Sequence, residues 1–390
     1  MTSTLCLLRN ADVHAPEPLG IRHLLIGGGR VLWIGDDVPD LPASLDVEDI
    51  DLEGLKLVPG FIDGHVHVTG GGGETGHGSR VPAPHLSRYT TAGVTSVIGL
   101  LGTDDLVRST AELVTQVHAL RDGGLSAWGY CGGYHLPPVT LTGSVRGDIV
   151  LIEPIIGVGE VAISDHRSSQ PTLDDLLRVA ADAHVAGLMS GKAGIVHLHL
   201  GDGPRGLDLV RRALDESELP ARVFQPTHVN RRKALFDEAL DLARRGCHVD
   251  ITAFPVEDGE DAWSADEALL RYLDSGAPPA RVSISSDAGG CLPCFDAEGR
   301  ACGMDVGDAG SLLDTLRAAL AKGVPFATAL PAFTSNPAAL LRLPRKGRIE
   351  VGFDADLIAL DDDFEVRHVM ARGRIHVRDG DVEVRGMFEC

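Results

Sequence analysis

The sequence predicts an α/β chain: a (β/α)8 TIM-like barrel over residues 57–345 with a small β-sandwich assembled from both termini, residues 1–56 and 346–390. Three observations carry this expectation. The 390 residues exceed one ordinary domain but fit a barrel with an appendage. Runs of β-type residues joined by tight turns occupy both ends. Between them, strand-like runs alternate with amphipathic helical ones.

At the N-terminus, TLCLLRNADVH, HLLIGGGRVLWIG and LDVEDIDLEG alternate apolar and polar residues, and the GGG marks a hairpin. The tail has the same texture in GRIEVGFDADLIALD, FEVRHVMARGRIHVRDG and VEVRGMFEC, so the two ends are expected to pair. In the body, KLVPGFIDGHVH, TSVIGLLG, SAWGYCGGY, IIGVGEVAI, GIVHLHLG, RVFQPTHVN, CHVDITAF and RVSISSDAGG read as eight strands. Helical stretches such as DDLVRSTAELVTQVHALRDGG, LDDLLRVAADAHVAGLM, ALFDEALDLARRG and SADEALLRYLDSG separate most of them, several ending in the glycine that caps a helix.

Composition narrows the function. With 44% hydrophobic residues and 47 glycines the chain suits a packed core with many turns. A net charge of -21 argues against nucleic acid or an anionic membrane as partner, because both demand a basic footprint. No basic stretch leads into an apolar core at the N-terminus, and no long uncharged apolar run follows, so a cytoplasmic location is expected. Seven irregularly spaced cysteines read as reduced thiols. Cys291 and Cys294 in CLPC have zinc-like or redox-like spacing, but only Cys302 lies near them and no second CxxC exists.

Active sites of such barrels lie where the strands end, so polar residues at the close of apolar runs matter most. His65 and His67 close the first strand, His199 the fifth, His228 the sixth and Asp287 the eighth. On a strand, residues two apart face the same side, so His65 and His67 would project together. A single histidine there is ordinarily a packing residue; five such groups, each at the end of a strand, point to a metal centre. Four imidazoles and a carboxylate suit zinc rather than Mg or Ca. They outnumber the usual three protein ligands of one catalytic zinc, which favours two ions and a bridging group.

FIDGHVHVTGGGGE, TSVIGLLGTD, GGYHLPP, GVGEVAISDHRS, HLGD, PTHVNR and GFDADLIAL resemble the amidohydrolase superfamily and, within it, the isoaspartyl dipeptidases, over essentially the whole chain. The resemblance implies two Zn2+ per subunit, hydrolysis of the isopeptide bond of small β-aspartyl dipeptides, and a homo-oligomer, an octamer in the family. It also implies a carbamylated lysine bridging the metals on the fourth strand. This sequence departs from that pattern, because no lysine occurs between Lys56 and Lys192. Glu160 stands in the equivalent place and offers the same bidentate group on a shorter stem. A strand bulge near Gly157 or Gly159 would push it inward. Glu153 is a rival, earlier in the run and beside Pro154; the other reading has one metal held by His65, His67 and Asp287.

The remaining roles follow from the same resemblance. Two ions sharing a water would lower its pKa toward about 7 and so supply a hydroxide. Asp287 would take the proton and pass it to the leaving amine. Tyr134 would hydrogen-bond the developing oxyanion. Four consecutive glycines, Gly72 among them, would free N–H groups for a substrate carboxylate, while Glu74, helped by the loop of Thr103, would bind the free α-amino group. Arg167 and Arg231 would grip the two carboxylates. Cys291 stands where the family has a substrate-contacting serine, and its thiol is a weaker donor. Rival readings are an N-acyl-amino-acid deacylase, a cyclic amidase, or a catalytically silent scaffold barrel.

Overall fold

Strand formation in the body follows from apolar residues on both faces, the signature of parallel strands covered from inside and outside. Six of them, β1 (Phe61–Val66), β2 (Val94–Gly99), β3 (Ser126–Cys131), β4 (Ile155–Ile163), β5 (Ile195–Leu200) and β6 (Phe224–Thr227), hydrogen-bond in sequence order. In this computed structural model, which describes residues 5–295 and 301–389, β7 (Val249–Thr252) and β8 (Val282–Ser285) form a separate parallel pair. The circle closes beyond β8, where Val66 bridges Ala288 and the His67 N–H donates to the Ala288 carbonyl at 2.9 Å. The result is a TIM-like barrel.

Two hydrophobic layers line the barrel wall. Outward residues such as Val158, Val161, Val196 and Leu198 share the main core with Leu176, Val179, Ala180 and Ala183. Those last four lie on one stripe of the helix Leu173–Ser190, which a Thr172–Asp175 capping box starts and Gly191, in the left-handed region, ends. Inside the barrel, Ile62, Ile98, Tyr130, Ile156 and Ile195 form a separate apolar cluster. The helix expected from Asp104 begins only at Thr110, where the Ser109 side chain caps it; the residues before it join the mouth of the barrel.

The termini do pair. Nine strands form one hydrogen-bonded sheet, and its seam is antiparallel pairing of Lys56–Pro59 with Leu357–Leu360. Leu8, Val13, Leu24, Ile26, Leu57, Leu357 and Met370 make its own core. The run KLVPGFIDGHVH, expected to be one strand, is divided at Gly60: Lys56–Pro59 belongs to the terminal sheet and Phe61–Val66 to the barrel. Only glycine fits at the junction, since a Cβ at Gly60 would lie 2.1 Å from Thr95 Oγ1. Buried Lys346 ties the two parts together, donating to Ser126 Oγ at 2.6 Å and to the Asp356 carboxylate. No helix among the described residues is long and apolar enough to cross a membrane.

Candidate functional site

His65 lies on β1 and His67 one residue beyond it, their rings 5.5 Å apart. His199 projects from β5. His228 and Asp287 lie just past β6 and β8, and each turns into the left-handed region, with φ of 59° and 56°. Such values are uncommon for residues with a Cβ and frequent at functional turns. Three of the five groups thus stand beyond regular strand, where backbone turns aim them back over the barrel mouth.

Glu160 reaches the same space through an irregularity in β4. Val158 and Val161 pair with Val196 and Leu198, so three steps on β4 match two on β5. A second extra residue lies against β3, where Ile155 and Gly157 pair with Gly129 and Tyr130. On a regular strand Val158 and Glu160 would share a face; the bulge breaks that parity, leaving Val158 in the outer core and Glu160 turned inward. Gly159 is required here, because a Cβ would lie 2.8 Å from both Cβ and the carbonyl oxygen of His197. Glu153 is elsewhere, largely exposed and paired with Arg121. Lys192 is engaged at the other end of the barrel, donating to the carbonyls of Ile149 and Ile152 at 2.5 and 2.8 Å.

Around Glu160 the ligand-type atoms converge. Oε1 lies 3.5 Å from His67 Nε2, while Oε2 lies 3.0 Å from His199 Nδ1 and 3.5 Å from the Nε2 atoms of His65 and His228. Asp287 Oδ1 is 3.4 and 3.1 Å from Nε2 of His65 and His67. Ligands about 2.1 Å from a tetrahedral zinc stand about 3.4 Å apart, which these separations match. His65 Nε2 and Asp287 Oδ1 are buried without a hydrogen-bond partner among the described residues. Buried polar atoms left unpaired while facing one another fit a cation between them. Two overlapping groups, His65–His67–Glu160 and Glu160–His199–His228, share the one carboxylate.

The electrostatics agree with a cation site. Burial works to raise the Glu160 carboxyl, but the His65 and His199 imidazoles, with hydrogen bonds to His199 and His228, hold it well below the usual carboxylate range. Burial pushes His228 down to about 3, so its ring is neutral at ordinary pH and keeps a lone pair. His65 is oriented from behind. Gln225 Oε1 accepts from His197 Nδ1–H at 3.0 Å, leaving His197 Nε2 to accept from His65 Nδ1–H at 2.8 Å and directing His65 Nε2 into the cluster, where, against the effect of burial, the Glu160 and Asp287 carboxylates favour positive charge and raise the ring to about 9.

The expected recognition residues ring this cluster. The Tyr134 hydroxyl is 2.9 Å from His199 Nδ1, and burial lifts its pKa well above the ordinary phenol range. Glu74 has a side chain only 7% exposed; its Oε1 accepts from Thr103 Oγ1 at 3.1 Å and faces Arg167 Nη1 at 3.5 Å. Glu74 Oε2 has no partner among the described residues. Arg231 donates to the Leu200 carbonyl at 2.6 Å and pairs with Asp202. Cys291 lies beside Glu74; burial and that carboxylate push its thiol up to about 11. The side chains of Cys294 and Cys302 lie outside the described residues.

The glycine loop differs from expectation in one respect. The N–H groups of Gly70, Gly71 and Gly73 are consumed by the carbonyls of His67, Gly289 and Ser79. Among the described residues, only the Gly72 N–H of these four shows no partner. Three groups of residues escaped sequence reasoning: the His197–Gln225 relay; buried Arg108, which holds the loop through the carbonyls of Thr69, Gly71 and Val81; and Asp165, bonded to Arg167 and His199. HLHLGD and SDHRS did contain His197 and Asp165, but nothing in spacing alone told them from surface groups.

Residues 158–376 match the amidohydrolase family. A crystal structure of β-aspartyl dipeptidase from Fervidobacterium islandicum AW-1, in complex with the dipeptide β-Asp-Leu, is 41% identical over 98% of both chains, with a TM-score of 0.94. The chain belongs to the amidohydrolase family and groups within it with the β-aspartyl dipeptidases. Curated relatives are more distant. An adenine deaminase of Geobacillus kaustophilus is 24% identical over 343 residues, 85% of this chain and 51% of that protein. A deacetylase of Agrobacterium fabrum is 26% identical over 361 residues, 87% of this chain and 78% of that one. This amidohydrolase therefore spans about half the length of the adenine deaminase it matches.

Proposed function

We propose that this amidohydrolase is a zinc-dependent enzyme that hydrolyses the isopeptide bond of β-aspartyl dipeptides, using two ions bridged by Glu160. In the same reading the terminal sheet is the small β-sandwich and residues 57–345 carry the site. One observation carries the substrate class: among the described residues Glu74 Oε2 is a buried carboxylate oxygen without a hydrogen-bond partner, the adjacent Cys291 thiol being only a weak donor, while Oε1 is already engaged by Thr103 and Arg167. A free α-ammonium would satisfy it. An acylated amine brings no positive charge and only one neutral N–H, giving that carboxylate a hydrogen bond without the added strength of an ionic pair. This argues against the deacylase reading.

When bound, the ions supply an acidified water and polarise the amide carbonyl. The chain does the rest. Glu160 offers one oxygen to the His67 side and the other to His199 and His228, on the 3.0–3.5 Å spacings above. Asp287 takes a proton from the attacking water on a carboxylate oxygen and returns it to the departing amine nitrogen. The Tyr134 hydroxyl, kept protonated by burial, donates to the carbonyl oxygen as negative charge builds there. Arg167, Arg231 and the Gly72 N–H offer donors for the two carboxylates of the dipeptide.

The test is steady-state hydrolysis of β-Asp-Leu, α-Asp-Leu and N-acetyl-Leu by zinc-loaded protein purified without bicarbonate. Preference for β-Asp-Leu, with no gain on adding bicarbonate, is the expected result, since Glu160 needs no carbon dioxide. Metal-replete protein that leaves β-Asp-Leu intact but cleaves N-acetyl-Leu would hand the assignment to a deacylase.

A further inference from the structure

We propose that Asp165 is a positioning residue that couples the metal cluster to the substrate-binding arginine, fixing the tautomer of His199 and the direction of the Arg167 fork with one carboxylate. This inference rests on the binuclear reading above. Asp165 has a side chain 3% exposed, and four nitrogens surround its two oxygens. Oδ1 accepts from the Arg167 backbone N–H at 2.7 Å and from its Nε–H at 3.0 Å. Oδ2 accepts from Arg167 Nη2–H at 2.8 Å and lies 3.0 Å from His199 Nε2.

Each ring nitrogen of His199 faces a carboxylate, Nε2 facing Asp165 and Nδ1 facing Glu160, with Arg167 Nη2 and Arg231 Nη1 3.4 and 3.5 Å from Nε2 and the Tyr134 hydroxyl 2.9 Å from Nδ1. A cation on the Glu160 side needs the Nδ1 lone pair, and the ring proton then belongs on Nε2, where the Asp165 carboxylate accepts it. That choice leaves Nδ1 with a bare lone pair, 3.0 Å from Glu160 Oε2. Two acceptors this close repel unless a cation or a proton lies between them, so the tautomer that Asp165 accommodates is the one that serves a metal. The same Oδ2 also anchors Arg167, whose remaining Nη1 then lies 3.5 Å from Glu74 Oε1 at the substrate end. Backbone geometry is fitted to this carboxylate. A Cβ at Gly201, two residues past His199, would fall 2.4 Å from Asp165 Cβ. Glycine there is what lets Asp165 approach the end of β5.

The experiment compares wild type, Asp165→Asn and Arg167→Met for zinc content, by equilibrium dialysis over a range of free zinc, and for KM and kcat on β-Asp-Leu. In either orientation the asparagine amide sets an NH2 against N–H donors of Arg167 or His199. D165N is expected to retain the wild-type circular dichroism spectrum, to bind one of its two ions about 10–100-fold more weakly, and to show a KM raised about tenfold or more. R167M should raise KM with both ions held as in wild type. Two ions bound at wild-type affinity in D165N would overturn the inference while leaving the metal reading intact. Wild-type protein that binds no zinc would overturn both. A crystal structure of zinc-loaded wild type decides the matter even if D165N does not fold: His199 Nδ1 on the metal with Nε2 on Asp165 is expected, and Nε2 on the metal refutes the inference.

Discussion

Replacing Glu74 with glutamine tests the substrate class most directly. Glutamine has the same shape, and its Oε1 can still accept from Thr103, 3.1 Å away, and from Arg167 at 3.5 Å, so the loop should keep its place. What changes is the second position. Oε2, without a partner among the described residues, becomes an NH2 that points a donor at the incoming ammonium. A unit-charge pair about 3 Å apart is worth about 5–6 kcal/mol at an effective dielectric of about 20, much of it offset by desolvation of the ammonium. A charge-assisted hydrogen bond nets about 1.5–3 kcal/mol, so kcat/KM for β-Asp-Leu should fall by about 10–150-fold. The assay measures kcat/KM of wild type and E74Q on β-Asp-Leu and on its N-acetylated form, which carries no ammonium. The acetylated substrate should lose little. A loss below about 3-fold on β-Asp-Leu, or an equal loss on both substrates, would refute the assignment of Glu74.

Two further outcomes follow from the same geometry. Tyr134→Phe should lower kcat about 10²–10³-fold with KM changed far less, because in the proposed reaction its hydroxyl acts only as charge builds on the oxygen; a rise in KM at unchanged kcat would contradict this. Acid stability should depend on His248, which burial, with Arg281 nearby, pushes down to about 3. Below about pH 6.5 the unfolded chain takes up a proton that the native ring refuses until about 3, so stability falls as pH falls across that window. From pH 6.5 to 5 the loss is about 2 kcal/mol. Urea unfolding of His248→Asn should therefore show a pH dependence flatter by that amount, and identical slopes would refute it.

Much of the site was readable because its chemistry lies where two periodicities meet. A period of two puts His65 and His67 on one side, and apolar runs end at His199, His228 and Asp287 in turn. Glu160 was legible for a different reason: the missing lysine forced the question of which carboxylate could replace it. The direction of its side chain was not, because inward or outward depends on a one-residue bulge defined only by the register of β4 against β5. Likewise Asp165 and His199, or Arg108 and Thr69, are 34 and 39 residues apart, and no local pattern links such pairs.

The sequence by itself determined the layered α/β plan, the strand ends that carry ligand-type residues, and the absence of a lysine to bridge them. Those are local properties: hydrophobic period, turn residues and composition, each set within a few residues. Only the tertiary structure decided which atoms face each other. It divided KLVPGFIDGHVH between two sheets, spent three of the four glycine N–H groups on the loop itself, and set the two oxygens of Glu160 toward different histidines. The physical reason is that hydrogen bonds and metal ligation act over about 3 Å, and only the closed barrel brings residues from β1, β4, β5, β6 and β8 within that distance.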